Sequence, residues 1–278
     1  MISVVIPSRN ELFLTHTVND LLFKSRGEIE IICILDGYWA SPMPSGDPRV
    51  IILHHGFSRG MRAAINSGVA LARGDYIFKC DAHCMFDEGY DVKLLNDIES
   101  DWVVVPRRKR LDAANWSIAD LGKPDVDYMY LSYPYAKDKD GHMVGLHGLN
   151  WDEKNKSKDL KGVMLDDLMT AQGSAWFMRK SYYKELELLD EAHYGPFWSE
   201  FQEIGLKAWL SGGRVVVNKN TWYAHWHKKV RGYSLTADKS AAEQYVMKWM
   251  NMGEAWNKQV YSMEWLVEKF NPPGWPMK

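Results

Sequence analysis

The sequence predicts an α/β fold: a mostly parallel, Rossmann-like sheet flanked by helices, with a helical C-terminal extension. Three observations predict it. Short apolar runs at residues 2–6, 29–35, 50–53 and 76–80 have the length and continuity of strands buried on both faces. Between them, residues 12–23 and 61–72 carry apolar side chains at helical spacing. Strands and helices in the order β-α-β-β-α-β wind into a parallel sheet that binds ligands at the carboxyl ends of its strands.

Each element has its own punctuation. The first strand closes at Pro7 and the second at the Asp36-Gly37 turn. Ser58 stands as a cap ahead of the helix traced by Met61, Ala64, Ile65, Gly68, Val69 and Ala72. A fifth strand spans residues 102–106. Across residues 107–170 the periodicity fades, and so long an irregular stretch reads as a segment for acceptor contacts or a lid. A strand at 175–178 and a helix near 181–189 follow. The helix at 200–210 carries a capping box, Ser199 with Gln202, and ends at Gly212-Gly213. A strand at 214–218 completes a first domain, residues 1–235, and an aromatic-rich helical extension occupies 236–278.

Composition narrows the function. A hydrophobic content of 46% and a charged content of 25% are those of a folded globular chain, so disorder is not the default. The net charge of −2 gives no support to a dedicated nucleic-acid binder. Cys33, Cys80 and Cys84 are too few for a disulfide framework and fit a reducing compartment. No leader pattern or membrane span is visible, so the expectation is a cytoplasmic protein, or a virus-encoded one acting in a host cytoplasm. Core packing rarely needs 13 tryptophans, and flat aromatic faces suit sugar rings, although partly buried packing under long loops accounts for most of them. Trp176 and Trp198 are the candidate acceptor platforms.

Asp81-Ala82-His83 follows the fourth strand, where such a sheet places ligands. In extended backbone, residues two apart face the same way, so Asp81 and His83 can share one ion. A carboxylate with an imidazole suits Mn²⁺ or a similar transition metal better than Mg²⁺. A third ligand comes from His225 or His227, of which the alternation allows one. A zinc set of Cys80, His83 and Cys84 is the weaker alternative, since a strand would splay the first two. Glu200 and Glu203 share one face of a helix start, placed to act as base or to stabilise positive charge. First turns also favour acidic residues for the dipole alone. The turn residues Pro7, Ser8, Arg9, Asn10 and Glu11, with Asp36, Arg59 and Gly60, stand ready for a nucleotide. The basic run 107–110 reads as a solvated loop, with an anionic partner as the alternative.

The ordered set of motifs resembles the family 2 type glycosyltransferases with the GT-A fold, and within them the polypeptide N-acetylgalactosaminyltransferase branch. "ISVVIPSRNE" is similar to the opening strand and Asn-Glu turn of that family, and "IICILDG" to its uridine-contacting second strand. "RGMRAAINSGVALARGDYIFKCDAHC" resembles its Gly-led helix and metal motif, with Asp-x-His in place of the commoner Asp-x-Asp. "WSEFQEIGLKAWLSGGRV" resembles the branch's Trp-Gly-Gly-Glu helix, and "AHWHKK" its His-containing segment. The resemblance implies a UDP-sugar donor contacted also by Asp81, and Mn²⁺ held by Asp81, His83 and His225. It further implies Glu200 as the functional carboxylate with Glu203 beside it, and retention of anomeric configuration. Trp198-Ser199 replaces the family's Gly-Gly, and Leu35 the first of its paired Asp residues. Acceptors to consider are a glycan, a protein hydroxyl or a hydroxymethylated DNA base, the last kept open by residues 107–110 with Lys228, Lys229 and Arg231. A non-catalytic nucleotide-sugar or glycan-binding module is the alternative. A nucleotidyltransferase is disfavoured by the lack of a Gly-x₄-Gly-Lys loop.

Overall fold

The computed structural model describes residues 1–44, 46–228, 232–233 and 239–276. Strand β1 (Ile2–Ser8), helix α1 (Leu14–Lys24), strands β2 (Ile29–Asp36) and β3 (Val50–His55), helix α2 (Met61–Leu71) and strand β4 (Tyr76–Cys80) follow the predicted order. Then come β5 (Cys84–Phe86), α3 (Tyr90–Asn96), β6 (Trp102–Asp112) and β7 (Ser117–Ile118). A hairpin of β8 (Met129–Leu131) and β9 (Gly148–Asn150) precedes α4 (Asp152–Lys156) and β10 (Leu165–Asp167). The chain continues through β11 (Ala175–Arg179), α5 (Lys180–Glu185), α6 (Glu191–Tyr194), α7 (Glu200–Leu210) and β12 (Arg214–His225). It ends in α8 (Lys239–Val246) and α9 (Met263–Phe270).

The main sheet runs β10-β12-β6-β11-β4-β1-β2-β3. Strands β4, β1, β2 and β3 are parallel, as are β6 and β12, while β11 enters antiparallel between β4 and β6. Parallel strands covered on both faces must be apolar throughout, and β2 has every residue from Ile29 to Asp36 buried. Helix α2 lies directly on β1 and β2 because Gly68 has no side chain. A Cβ there would meet Val5 Cγ1 at 2.5 Å and Ile34 Cδ1 at 2.7 Å.

Several expectations are corrected. Residues 107–110 are not a loop: β6 continues through them, paired with residues 222–225 of a β12 much longer than 214–218. A register shift between Asn218 and Trp222 absorbs the extra length. Residues 107–170 are ordered into short elements, with Tyr128, Leu131, Leu146 and Trp151 in the main core. Neither predicted cap forms. Ser199 sits in the left-handed region at φ 59 without a side-chain cap, and Ser58 turns away to Asp36. The C-terminal extension shares the core: Trp249 is fully buried and donates to Tyr194 Oη at 2.7 Å, and Phe270 meets Trp209 edge-on. Among the described residues no helix is long and apolar enough to cross a membrane.

Candidate active site

The carboxyl ends of β1, β2 and β4 open into a cleft of about 1030 Å³. On its floor three ligand atoms converge. His225 Nε2 lies 3.2 Å from Asp81 Oδ2 and 3.1 Å from His83 Nε2, and His83 Nε2 is 3.9 Å from Asp81 Oδ2. Ligand bonds of about 2.0–2.2 Å put neighbouring donors roughly 3–3.5 Å apart, so one divalent cation fits among these three. Two imidazole nitrogens facing each other beside a carboxylate also form a poor hydrogen-bonding set unless one carries a proton. Burial pushes the pKa of His225 down to about 3 against the pull of Asp81, which keeps the ring neutral as a ligand requires.

Strand pairing builds this triad. Asp81 leaves β4 at its last hydrogen bonds, His83 precedes β5, and β5 pairs with the end of β12, registering His225 opposite Cys84. His227, two residues beyond, is exposed and outside the cluster, so the alternation resolves to His225. The zinc alternative is not assembled: Cys80 and Cys84 are buried, and the metal-competent group among the described residues contains neither.

Glu11 lines the cleft but is not free for a nucleotide. Its carboxylate bonds His83 Nδ1 at 3.2 Å and pairs with Lys228, an arrangement that orients the imidazole from behind. Burial would raise its pKa, but His83 and Lys228 hold it low. Asp36 is likewise occupied. It accepts from Ser58 Oγ (2.6 Å), Arg59 N (2.7 Å) and Gly60 N (2.9 Å), with His55 Nδ1 2.9 Å away. Those four partners use all its acceptor sites, so Asp36 fixes the loop that offers Arg59 and Gly60 to the cleft. Pro7, Ser8, Arg9, Arg59 and Gly60 do line it, and Arg9 Nε is buried without a partner. Asn10 does not. It turns out at φ 49 and donates to the Gly232 carbonyl.

Glu200 enters from the first turn of α7. Trp176 Nε1 donates to its Oε1 at 2.8 Å, and Lys79 Nζ lies 3.2 Å from the same oxygen. Lys79 also donates to Asp81 Oδ1 (2.7 Å) and to the Gly173 carbonyl (2.6 Å). One buried ammonium therefore joins the metal-side carboxylate to the helix carboxylate. Burial and the Asp81 charge raise the pKa of Glu200, opposed by Lys79 and Trp176. Trp176 is fully buried, so it cannot present a face to an acceptor; it braces Glu200 instead. Trp198 is half-buried on the cleft wall. Glu203 is corrected outright. Fully buried, it pairs with Arg62 and Lys207 and accepts from Asp190 N, which locks α7 to α2 rather than facing the cleft.

A model of the family described as Glycosyl transferase family 2 matches residues 3–187. The chain belongs to that family. Among curated relatives, the probable N-acetylgalactosaminyltransferase 8 of Caenorhabditis elegans is 28% identical over 200 residues, 68% of this chain and 42% of the relative. Among solved structures, GalNAc-T7 with UDP, GalNAc and Mn²⁺ superposes with a TM-score of 0.72 at 17% identity. That match covers 98% of this chain and 56% of the other. Staphylococcus aureus TarS 1–349 with UDP-GlcNAc superposes at 0.52 with 14% identity, covering 89% and 64%. This family 2 chain thus has the GT-A fold and spans about half the length of the relatives named first.

Sequence reasoning missed Lys79 and Gly173 in this family 2 site. Lys79 sits inside an apolar run, and nothing local marks it as inward-facing. Gly173 carries a usable signal, a glycine just before a strand. A Cβ there would stand 2.4 Å from Glu200 Oε2. Gly173→Ala is expected to push Glu200 off Lys79 and cut turnover about 10²-fold with the fold retained; turnover within twofold of wild type would show that this approach is not needed.

Proposed function

We propose that this chain transfers a sugar from a UDP-sugar to an acceptor hydroxyl with a divalent cation, Mn²⁺ being the best match to its donor set, and with retention of configuration. The observation that carries the proposal is the meeting of Asp81, His83 and His225 on the floor of a cleft at the strand ends. The named solved structures hold UDP, GalNAc and Mn²⁺ in one case and UDP-GlcNAc in the other. A divalent cation held there supplies positive charge against a departing diphosphate. The turn 7–9 takes the nucleoside end, with Arg59 and Gly60 beside the phosphates. Glu200, fixed by Lys79 and Trp176, presents negative charge to the oxocarbenium-like sugar centre. Trp198 offers an aromatic face on the cleft wall.

A glycan or protein hydroxyl suits the acceptor side better than modified DNA. Arg107 and Lys109 are already paired with Asp127 and Asp125, and Lys228 with Glu11. Lys229 and Arg231 lie outside the described residues.

The test is a screen of UDP-sugars for slow Mn²⁺-dependent UDP release, followed by the anomeric configuration of the product. Glu200→Gln is expected to lower UDP release by about 10²–10³ with UDP affinity within a few-fold. A wild-type chain that binds UDP-sugars and turns none over would instead be a binding module.

A further inference from the structure

Strand alternation divides the basic run of β6 between two faces. Arg107 pairs with Asp127 at 2.7 Å and Lys109 with Asp125 at 3.0 Å, so both charges on one face are spent. Arg108 alternates to the other face and lines the cleft. It is 7% exposed, and among the described residues its guanidinium donates to amide oxygens alone, Gln172 Oε1 and Asn150 Oδ1, the latter at 3.2 Å. Among the described residues no carboxylate lies within ion-pair distance of it. Burial and the neighbouring Arg110 both press its pKa down, with only Tyr223 acting the other way. An arginine this buried is almost always paired, and a guanidinium held by two neutral amides keeps donors in a planar fork that fits a carboxylate or phosphate. Asn150 also lines a second cavity of about 330 Å³, where Arg110, Lys123 and Lys156 stand with Asp125 and Asp152.

We propose that Arg108, set by Gln172 and Asn150, is a subsite for an anionic group, carboxylate or phosphate, carried by the acceptor. This rests on the glycosyl-transfer reading of the same cleft. Gln172 adjoins Gly173, whose carbonyl accepts from the Lys79 that holds Glu200, and on that ground we assign the anion to the acceptor rather than to the UDP.

The test measures binding of methyl β-glucuronide, of sn-glycerol 3-phosphate and of neutral methyl β-glucoside to the full chain with Mn²⁺ and UDP, by tryptophan fluorescence. The anionic probes are expected to bind about tenfold tighter than the glucoside. Arg108→Gln should erase that preference, and Arg108→Lys should keep part of it, which also separates charge from folding. UDP affinity, read on the same variants, should stay within twofold. Equal binding of neutral and anionic probes to wild type, or a preference that survives Arg108→Gln, would overturn the proposal. So would a tenfold loss of UDP affinity in Arg108→Gln, which would assign the guanidinium to the donor diphosphate. If wild type binds no UDP, the donor reading fails on its own, and the glucuronide preference measured without UDP still decides Arg108.

Discussion

Asp81→Asn is expected to reduce Mn²⁺-dependent UDP release by about three orders of magnitude. The amide keeps the shape of the side chain but loses the charge that faces His83 and His225. Its other oxygen meets Lys79, so the substitution also weakens the contact that steadies Glu200. Two readouts separate these effects. Mn²⁺ affinity measured by titration calorimetry should fall with activity, while the circular dichroism of the variant stays that of wild type. An Asp81→Asn chain that binds Mn²⁺ and releases UDP as wild type does would remove Asp81 from the metal assignment.

The largest effect on stability is expected from Lys79→Met. Lys79 is fully buried between Asp81 and Glu200, and burial alone would lower its pKa, but those two charges raise it. Methionine fills similar space and leaves two carboxylates facing one another without the cation. Breaking a buried pair by removing one partner costs about 3–5 kcal/mol. Urea unfolding in EDTA, which keeps metal out of the comparison, should show a loss of that size. The double variant Lys79→Met/Glu200→Gln should recover part of it, because one uncompensated charge is gone. If the single and double variants unfold at the same urea concentration, the ammonium is not what balances these carboxylates.

Much of the fold was legible because its signals are local. Continuous apolar runs and helical spacing fix β1 to β4 and α1 to α2, and a period shows in a dozen residues whatever lies elsewhere. The bounds of α7 match residues 200–210 for the same reason. Asp81 and His83 were legible through two-residue spacing at a strand end. The alternation offered His225 or His227, the resemblance implied His225, and the pairing of β12 with β5 brings His225 into the cluster.

Other residues changed meaning only in three dimensions. Glu200 and Glu203 look alike in a sequence, yet one helical turn aims the first at Lys79 and the cleft and the second at Arg62 in the interior. Trp176 looks like a sugar platform until β11 proves to lie between β4 and β6 in mid-sheet, where no face is free. Glu11 and Asp36 sit in the cleft as the turns suggested, but their oxygens are already committed to His83, Lys228 and the loop 58–60.

The sequence by itself determined the order of strands and helices from β1 to β4, the end of the sheet at which ligands are expected, and two of the three candidate ligand residues. Those follow from periodicity and short spacings. The tertiary structure alone decided which carboxylates are free, which arginine faces the cleft and which lysine binds the site together. Charge pairing is a matter of distances between residues far apart in the chain, Lys79 to Glu200 or Arg62 to Glu203, and no local pattern encodes them.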